Sequence, residues 1–80
     1  MNFGKWITKK LNNHSVSQYR LEIDANLSKG CIFRWSQTSS PRLKSFVETC
    51  IQISKYSGED LDSVILEAIK HTKEYKQVKK

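Results

Sequence analysis

Between residues 17 and 35 the chain reads SQYRLEIDANLSKGCIFRW, two short amphipathic stretches joined at Asn26-Leu27-Ser28. Leu21, Ala25, Leu27, Ile32 and Trp35 occupy the inward positions of two helices separated by a tight turn. Ser17 and Ser28 each stand where a side-chain oxygen accepts from an orphan amide of the helix that follows. Val16 precedes Ser17 and pairs with Leu21; Leu27 precedes Ser28 and pairs with Ile32. Such apolar staples fix the angle at which the chain enters a helix. Two helix starts eleven residues apart leave room only for helix, turn, helix.

Three further helices and no strand complete the pattern. Phe3, Ile7 and Leu11, with Trp6 beside them, give a first helix ending near Asn12-Asn13. Ser40 as cap and Pro41 at the first helical position open a fourth, with an inward stripe of Leu43, Phe46, Val47, Cys50 and Ile51 and a stop at Ser57-Gly58. Asp60 caps a fifth, whose stripe is Leu61, Val64, Ile65, Ala68 and Ile69. Residues 73–80 read as a polar, frayed tail. With no linker, repeat or low-complexity tract, residues 1–80 are expected to form one compact, all-α, five-helix domain.

A core this small is often helped by dimerisation, disulfides or metal. Cys31 and Cys50 can form at most one disulfide, but one lies in the third helix and the other on an inward face, so free thiols in a reducing compartment are the expectation. No apolar run reaches signal or transmembrane length, which predicts a soluble, cytoplasmic protein with no membrane partner.

Charge is unevenly placed. Residues 1–44 carry eight basic side chains against Glu22 and Asp24, whereas residues 45–80 carry six against six, so the entire net charge of +6 lies in the first part. That asymmetry fits a phosphate-binding face. Arg42 and Lys44 fall in the expected first turn of the fourth helix, an unfavourable place for cations unless an anion neutralises them. Lys9 and Lys10 extend the same rim.

Ser17-Gln18 with Leu21, Leu27-Ser28, Ile32, Trp35, Pro41 and Leu61-Asp62 follow one another in an order that resembles the Cro/CI-like helix-turn-helix (XRE) family of phage and bacterial DNA-binding transcriptional regulators. The resemblance runs from about residue 3 to residue 69 and implies a lambda-repressor-like fold that needs no cofactor. It implies that the third helix, over about residues 28–37, reads the major groove, with Ser28, Lys29, Gly30, Phe33 and Arg34 facing the bases. Lys29 and Arg34 suit guanine O6 and N7, and Phe33 suits a thymine methyl. It further implies that Gln18 meets a phosphate, as do Arg42 and Lys44.

Three residues or segments depart from the family pattern. Glu22 stands where a small residue is usual, at the closest approach of the two helices, and is expected to turn outward or to meet a cation such as Arg34. Asn26 replaces the turn glycine, and residues 51–60 carry about one extra helical turn.

Nothing in the chain suggests an enzyme or a metal site. His14 and His71 lie far apart, neither cysteine has a ligand neighbour, and Glu59, Asp60 and Asp62 suit a helix N-terminus. The expected function is sequence-specific binding of double-stranded DNA at a pseudo-palindromic operator, by a homodimer acting as a repressor. The fifth helix has more apolar positions than a terminal helix needs, so Ile65 and Ile69 are the candidate dimer interface. An alternative class is a protein-interaction module, an antitoxin or adaptor, that keeps the fold and uses Phe33 and the fifth helix to hold a partner protein.

Overall fold

The computed structural model describes residues 2–37 and 40–78. Among them lie six helices and no strand: α1 (Phe3–Asn13), α2 (Gln18–Asp24), α3 (Cys31–Gln37), α4 (Leu43–Ser57), α5 (Leu61–Ile69) and α6 (Lys73–Val78). The extra helix falls in the expected tail, of which residues 79 and 80 lie outside the described residues. Thr72 explains it: the buried hydroxyl donates to the Ile69 carbonyl at 2.7 Å and accepts from the Tyr75 amide at 3.3 Å, capping α6.

The first two helices end alike. Ser15 and Asn26 both adopt φ of 56°, and the next amides turn back, Val16 to the Leu11 carbonyl at 2.9 Å and Leu27 to the Glu22 carbonyl at 2.8 Å. This is the Schellman ending, in which a left-handed residue lets two amides satisfy orphan carbonyls. Val16 and Leu27 then pack on the core, so each closes one helix and positions the next. Ser17 caps α2 as expected, accepting from the Arg20 amide at 3.0 Å.

Two other helix starts differ from expectation. The third helix begins at Cys31 rather than Ser28, because Gly30 holds φ of 79° and its amide bonds to the Glu22 carboxylate instead of entering a helical turn. Ser28 therefore does not cap it through its side chain; the Ser28 carbonyl accepts from the Cys31 amide in a turn. The fourth helix begins at Leu43, with extended Arg42 as its N-cap residue and no side-chain cap, rather than at Pro41. Pro41 lies along a groove wall shared with Phe3 and Trp35, and helical geometry starts only when Phe46 can turn into the core. At the other end α4 stops at Ser57 before Gly58, whose φ is 74°, and Asp60 caps α5.

The core face of α4 is Phe46, Thr49, Cys50 and Ile53: Phe46 and Cys50 belong to the expected stripe, whereas Leu43 is 79% exposed, Val47 is exposed and Ile51 half-buried. Phe3 is the hub, its ring 5.9 Å from Trp6, 5.4 Å from Trp35 and 5.2 Å from Phe46. Such pairs contribute about 0.5–1.5 kcal/mol each beyond the area they bury. Leu11, Leu21, Ala25, Ile32, Val64 and Ala68 fill the rest, giving a compact body with a radius of gyration of 11.6 Å. Both cysteines are free, and burial pushes the Cys50 thiol up to about 12. No helix among the described residues is long and apolar enough to cross a membrane.

The closest packing is backbone on backbone. Gly4 of α1 lies against the end of α3, where an added Cβ would overlap the Ser36 amide and lie 2.6 Å from both the Ser36 Cα and the Trp35 carbonyl carbon. Neither side can yield without moving a helix. Gly4→Ala is therefore expected to destabilise the fold by about 3 kcal/mol, the upper end of overpacking costs. Urea denaturation checks this, as a lower midpoint at unchanged slope.

Candidate nucleic-acid interface

The front of the molecule is built by α2, the turn after it and α3. Residue Glu22, on the side of α2 that meets α3, is half-buried, and its Oε2 accepts from the Gly30 amide at 3.0 Å. It neither turns outward nor pairs with Arg34. The Gly30 carbonyl accepts from the Arg34 amide at 3.1 Å, and Arg34 Nη1 donates to the Lys29 carbonyl at 3.3 Å. The turn is thus clasped by α2 from within and by α3 from outside. At the far end of α3, Asn2 Nδ2 donates to the Ser36 carbonyl at 2.9 Å while Asn2 Oδ1 accepts from the Lys5 amide, so one side chain ties α3 to the start of α1.

This arrangement brings Lys29, Gly30 and Arg34 together and leaves Lys29, Phe33 and Arg34 exposed, Phe33 at 63%. Ser28 is exposed beside them. The Gly30 amide is occupied by Glu22, so any role for Gly30 is to allow the turn rather than to donate. Gln18 is exposed at the start of α2, where its Nε2 donates to Thr8 Oγ1 at 3.2 Å. Arg42 and Lys44 are exposed on a separate element, Arg42 just before α4 and Lys44 in its first turn, with no acidic residue there. Two exposed apolar residues on α2, Tyr19 and Ile23, escaped the sequence reading. Their four-residue spacing on one helical face was the available signal.

Lys10 does not belong to this face. Its Nζ lies 2.8 Å from Glu59 Oε1 and 3.5 Å from Glu67 Oε2, over the Trp6 ring. The hydrogen bond to Glu59 holds the ammonium above its ordinary range and the Glu59 carboxyl below its own. Glu67 also accepts from Trp6 Nε1 at 2.9 Å. Of the candidate dimer residues, Ile65 is partly buried against the core of its own chain, whereas Ile69 is 41% exposed and Leu66 beside it 64%.

A second clasp joins α2 to α4. Asp24 Oδ2 accepts from the Tyr56 hydroxyl at 2.6 Å and from Arg20 Nε at 2.9 Å. The Tyr56 hydroxyl, and after it Arg20, hold the Asp24 carboxyl below the ordinary carboxylate range. Burial and the same bond push the Tyr56 hydroxyl up.

Comparison with known proteins finds no matching family model, no matching curated protein and no matching solved structure.

The Asp24 clasp carries a pH signature. A carboxyl whose folded pKa is depressed contributes stability that is present above its unfolded value, here 3.8, and is lost as pH falls through the lower folded value. Asp24→Asn should therefore be less stable than the wild type near neutrality. The difference should begin to shrink as pH drops below about 4 and be lost as pH falls through the lower folded value, below which Asp24 is neutral in both states. Thermal denaturation of the two proteins across pH 7 to pH 2.5 measures it.

Proposed function

We propose that the chain is a helix-turn-helix protein that binds double-stranded DNA sequence-specifically and regulates transcription as a repressor, with α2 and α3 as the motif and α3 as the reading helix. The observation that carries this reading is the outward display of Lys29, Phe33 and Arg34 around the start of a short helix clasped at both ends. Short, fixed helices suit base reading because the donors must meet base edges in one register. The uneven charge supports it, since the net +6 lies within residues 1–44.

In this reading Arg34 takes a guanine edge, Lys29 a second base or a phosphate, and Phe33 a thymine methyl. Gln18, Ser28, Arg42 and Lys44 set the register on the backbone. The resemblance to Cro/CI-like regulators adds the expectation of a homodimer on a pseudo-palindromic site. The chemistry is recognition, with no catalytic step. A second reading, a module that grips a protein partner, draws support from the exposed Tyr19 and Ile23.

Salt separates the two readings. If a dimer neutralises about 6 to 10 phosphates, affinity for duplex DNA falls by roughly three to five orders of magnitude between 50 and 200 mM salt. Against duplexes recovered from a random-sequence pool, Arg34→Ala should cost about 1–3 kcal/mol and relax one position, while Arg42→Ala weakens all sequences alike. A flat salt response, or equal and sequence-independent losses from both variants, favours the protein-partner reading.

The dimer has its own measurement. Ile69 and the neighbouring Leu66 offer the exposed part of α5, so Ile69→Glu is expected to shift a micromolar dimer to a folded monomer in sedimentation. A variant that stays dimeric and folded removes α5 from the interface.

A further inference from the structure

Among the described residues, Glu22 is the side chain that reaches from α2 to the backbone at the start of α3, and it does so with a carboxylate. A carboxylate on a DNA-facing surface is unfavourable unless it is engaged, because it repels phosphate. Here it points inward, half-buried, and accepts the one amide that the left-handed Gly30 would otherwise leave without a helical partner. The same Gly30 supplies the carbonyl for the first hydrogen bond of α3, to the Arg34 amide. Arg34 in turn reaches back to the Lys29 carbonyl. The Glu22 carboxylate therefore holds the turn that carries Lys29 and the carbonyl on which the Arg34 side chain rests.

Intrinsic preference does not fix that start. A helix of seven residues is too short to hold its own register in water, and glycine weakens the turn before it. Ser28, the residue placed to cap an earlier start, does not use its side chain to do so. With Gly30 released, the turn can rearrange, which moves Lys29 and the carbonyl on which the Arg34 side chain rests, while buried Ile32 and Trp35 hold the body of α3. Base reading tolerates errors of only about 0.5 Å or 10–20°.

We propose that Glu22 is a positioning residue for DNA reading: by accepting the Gly30 amide it holds the turn that carries Lys29 and anchors the Arg34 side chain, and so fixes the geometry in which both meet base edges. The inference rests on α3 being the reading helix. It makes Glu22 a determinant of specificity through a hydrogen bond, without contact to DNA.

Glu22→Gln keeps an acceptor oxygen and removes the charge; Glu22→Ala removes both and leaves α2 with a better helix former. Two readouts apply to wild type and both variants: hydrogen exchange of the Gly30 amide in the free protein, and the ratio of Kd values for a scrambled duplex and a duplex selected from a random pool. The alanine variant should speed Gly30 exchange about tenfold, the loss of one net hydrogen bond, and lower the ratio by a similar factor; the glutamine variant should retain both. A ratio unchanged in the alanine variant overturns the proposal even if its melting temperature falls, since the role is then structural only. A glutamine variant as impaired as alanine in both readouts overturns it as well, because the acceptor is then not what matters. If the wild type binds both duplexes equally, the DNA reading itself fails and the proposal falls with it. Faster Gly30 exchange in the alanine variant then shows that the turn contact was real but served no reading.

Discussion

Contact between α1 and α3 at Gly4 sets the geometry on which the rest depends. With no Cβ at this position the two backbones approach closely enough for the Phe3 ring, one residue earlier, to reach Trp35 on α3 and Phe46 on α4. The same proximity lets Asn2 cap α1 and bond to the Ser36 carbonyl. One glycine thus permits an aromatic cluster joining three helices and fixes the C-terminal end of α3. A side chain there would push α3 away from α1 and open the cluster. The Thr49 hydroxyl is buried on the core face of α4 with no hydrogen-bond partner among the described residues.

Electrostatics divide the molecule by pairing rather than by composition. Lys10 is drawn to Glu59 and Glu67 on the α5 side, and Arg20 to Asp24, which Tyr56 also engages. Partly exposed pairs of this kind contribute little to stability, typically under about 1 kcal/mol each. Their effect is on disposition: they take two cations out of the pool available to an anion. Lys29, Arg34, Arg42 and Lys44 appear in no ion pair among the described residues. A surface on which these four cations enter no ion pair suits a polyanion, because counterion release rewards cations that have no internal partner.

Periodicity made most of the core legible, and caps made most boundaries legible. Phe3, Trp6, Ile7, Leu11, Leu21, Ala25, Ile32 and Trp35 repeat at helical spacing and are all buried. Ser17 and Asp60 cap the helices their positions announce. The failures share a cause, which is that tertiary partners outweighed local preference. Ser28 was a good cap on paper, but Gly30 could be claimed by a carboxylate from another helix, and nothing local in the sequence encodes that. Leu43 and Val47 matched an apolar stripe, but the alternative stripe through Thr49 and Ile53 faced the core once Phe46 met Phe3. Thr72 could have been read as a cap, since Glu74 and Tyr75 follow it, had the tail not looked merely polar. At the candidate site the exposed residues were legible, whereas the contacts that hold them in place were not.

Because the two ends of α3 are tied by Asn2 and Glu22, its outer face carries no structural duty. Arg34 donates to the Lys29 carbonyl through a long, exposed bond of 3.3 Å, which water can replace at little cost. A guanine edge offers the same guanidinium two charge-assisted bonds in its place. Keeping the side chain near the start of α3 beforehand also reduces the rotamer entropy lost on binding. Phe33 follows a different logic. Its ring gains from any apolar cover, a thymine methyl or a partner protein alike, so it distinguishes neither reading. The basic pair bears on the choice more directly, since a protein partner would need acidic residues placed for Lys29 and Arg34, whereas any duplex presents phosphates in fixed geometry and a guanine edge suits Arg34 where the sequence supplies one. The balance of the front therefore lies with the cations and not with its largest apolar group.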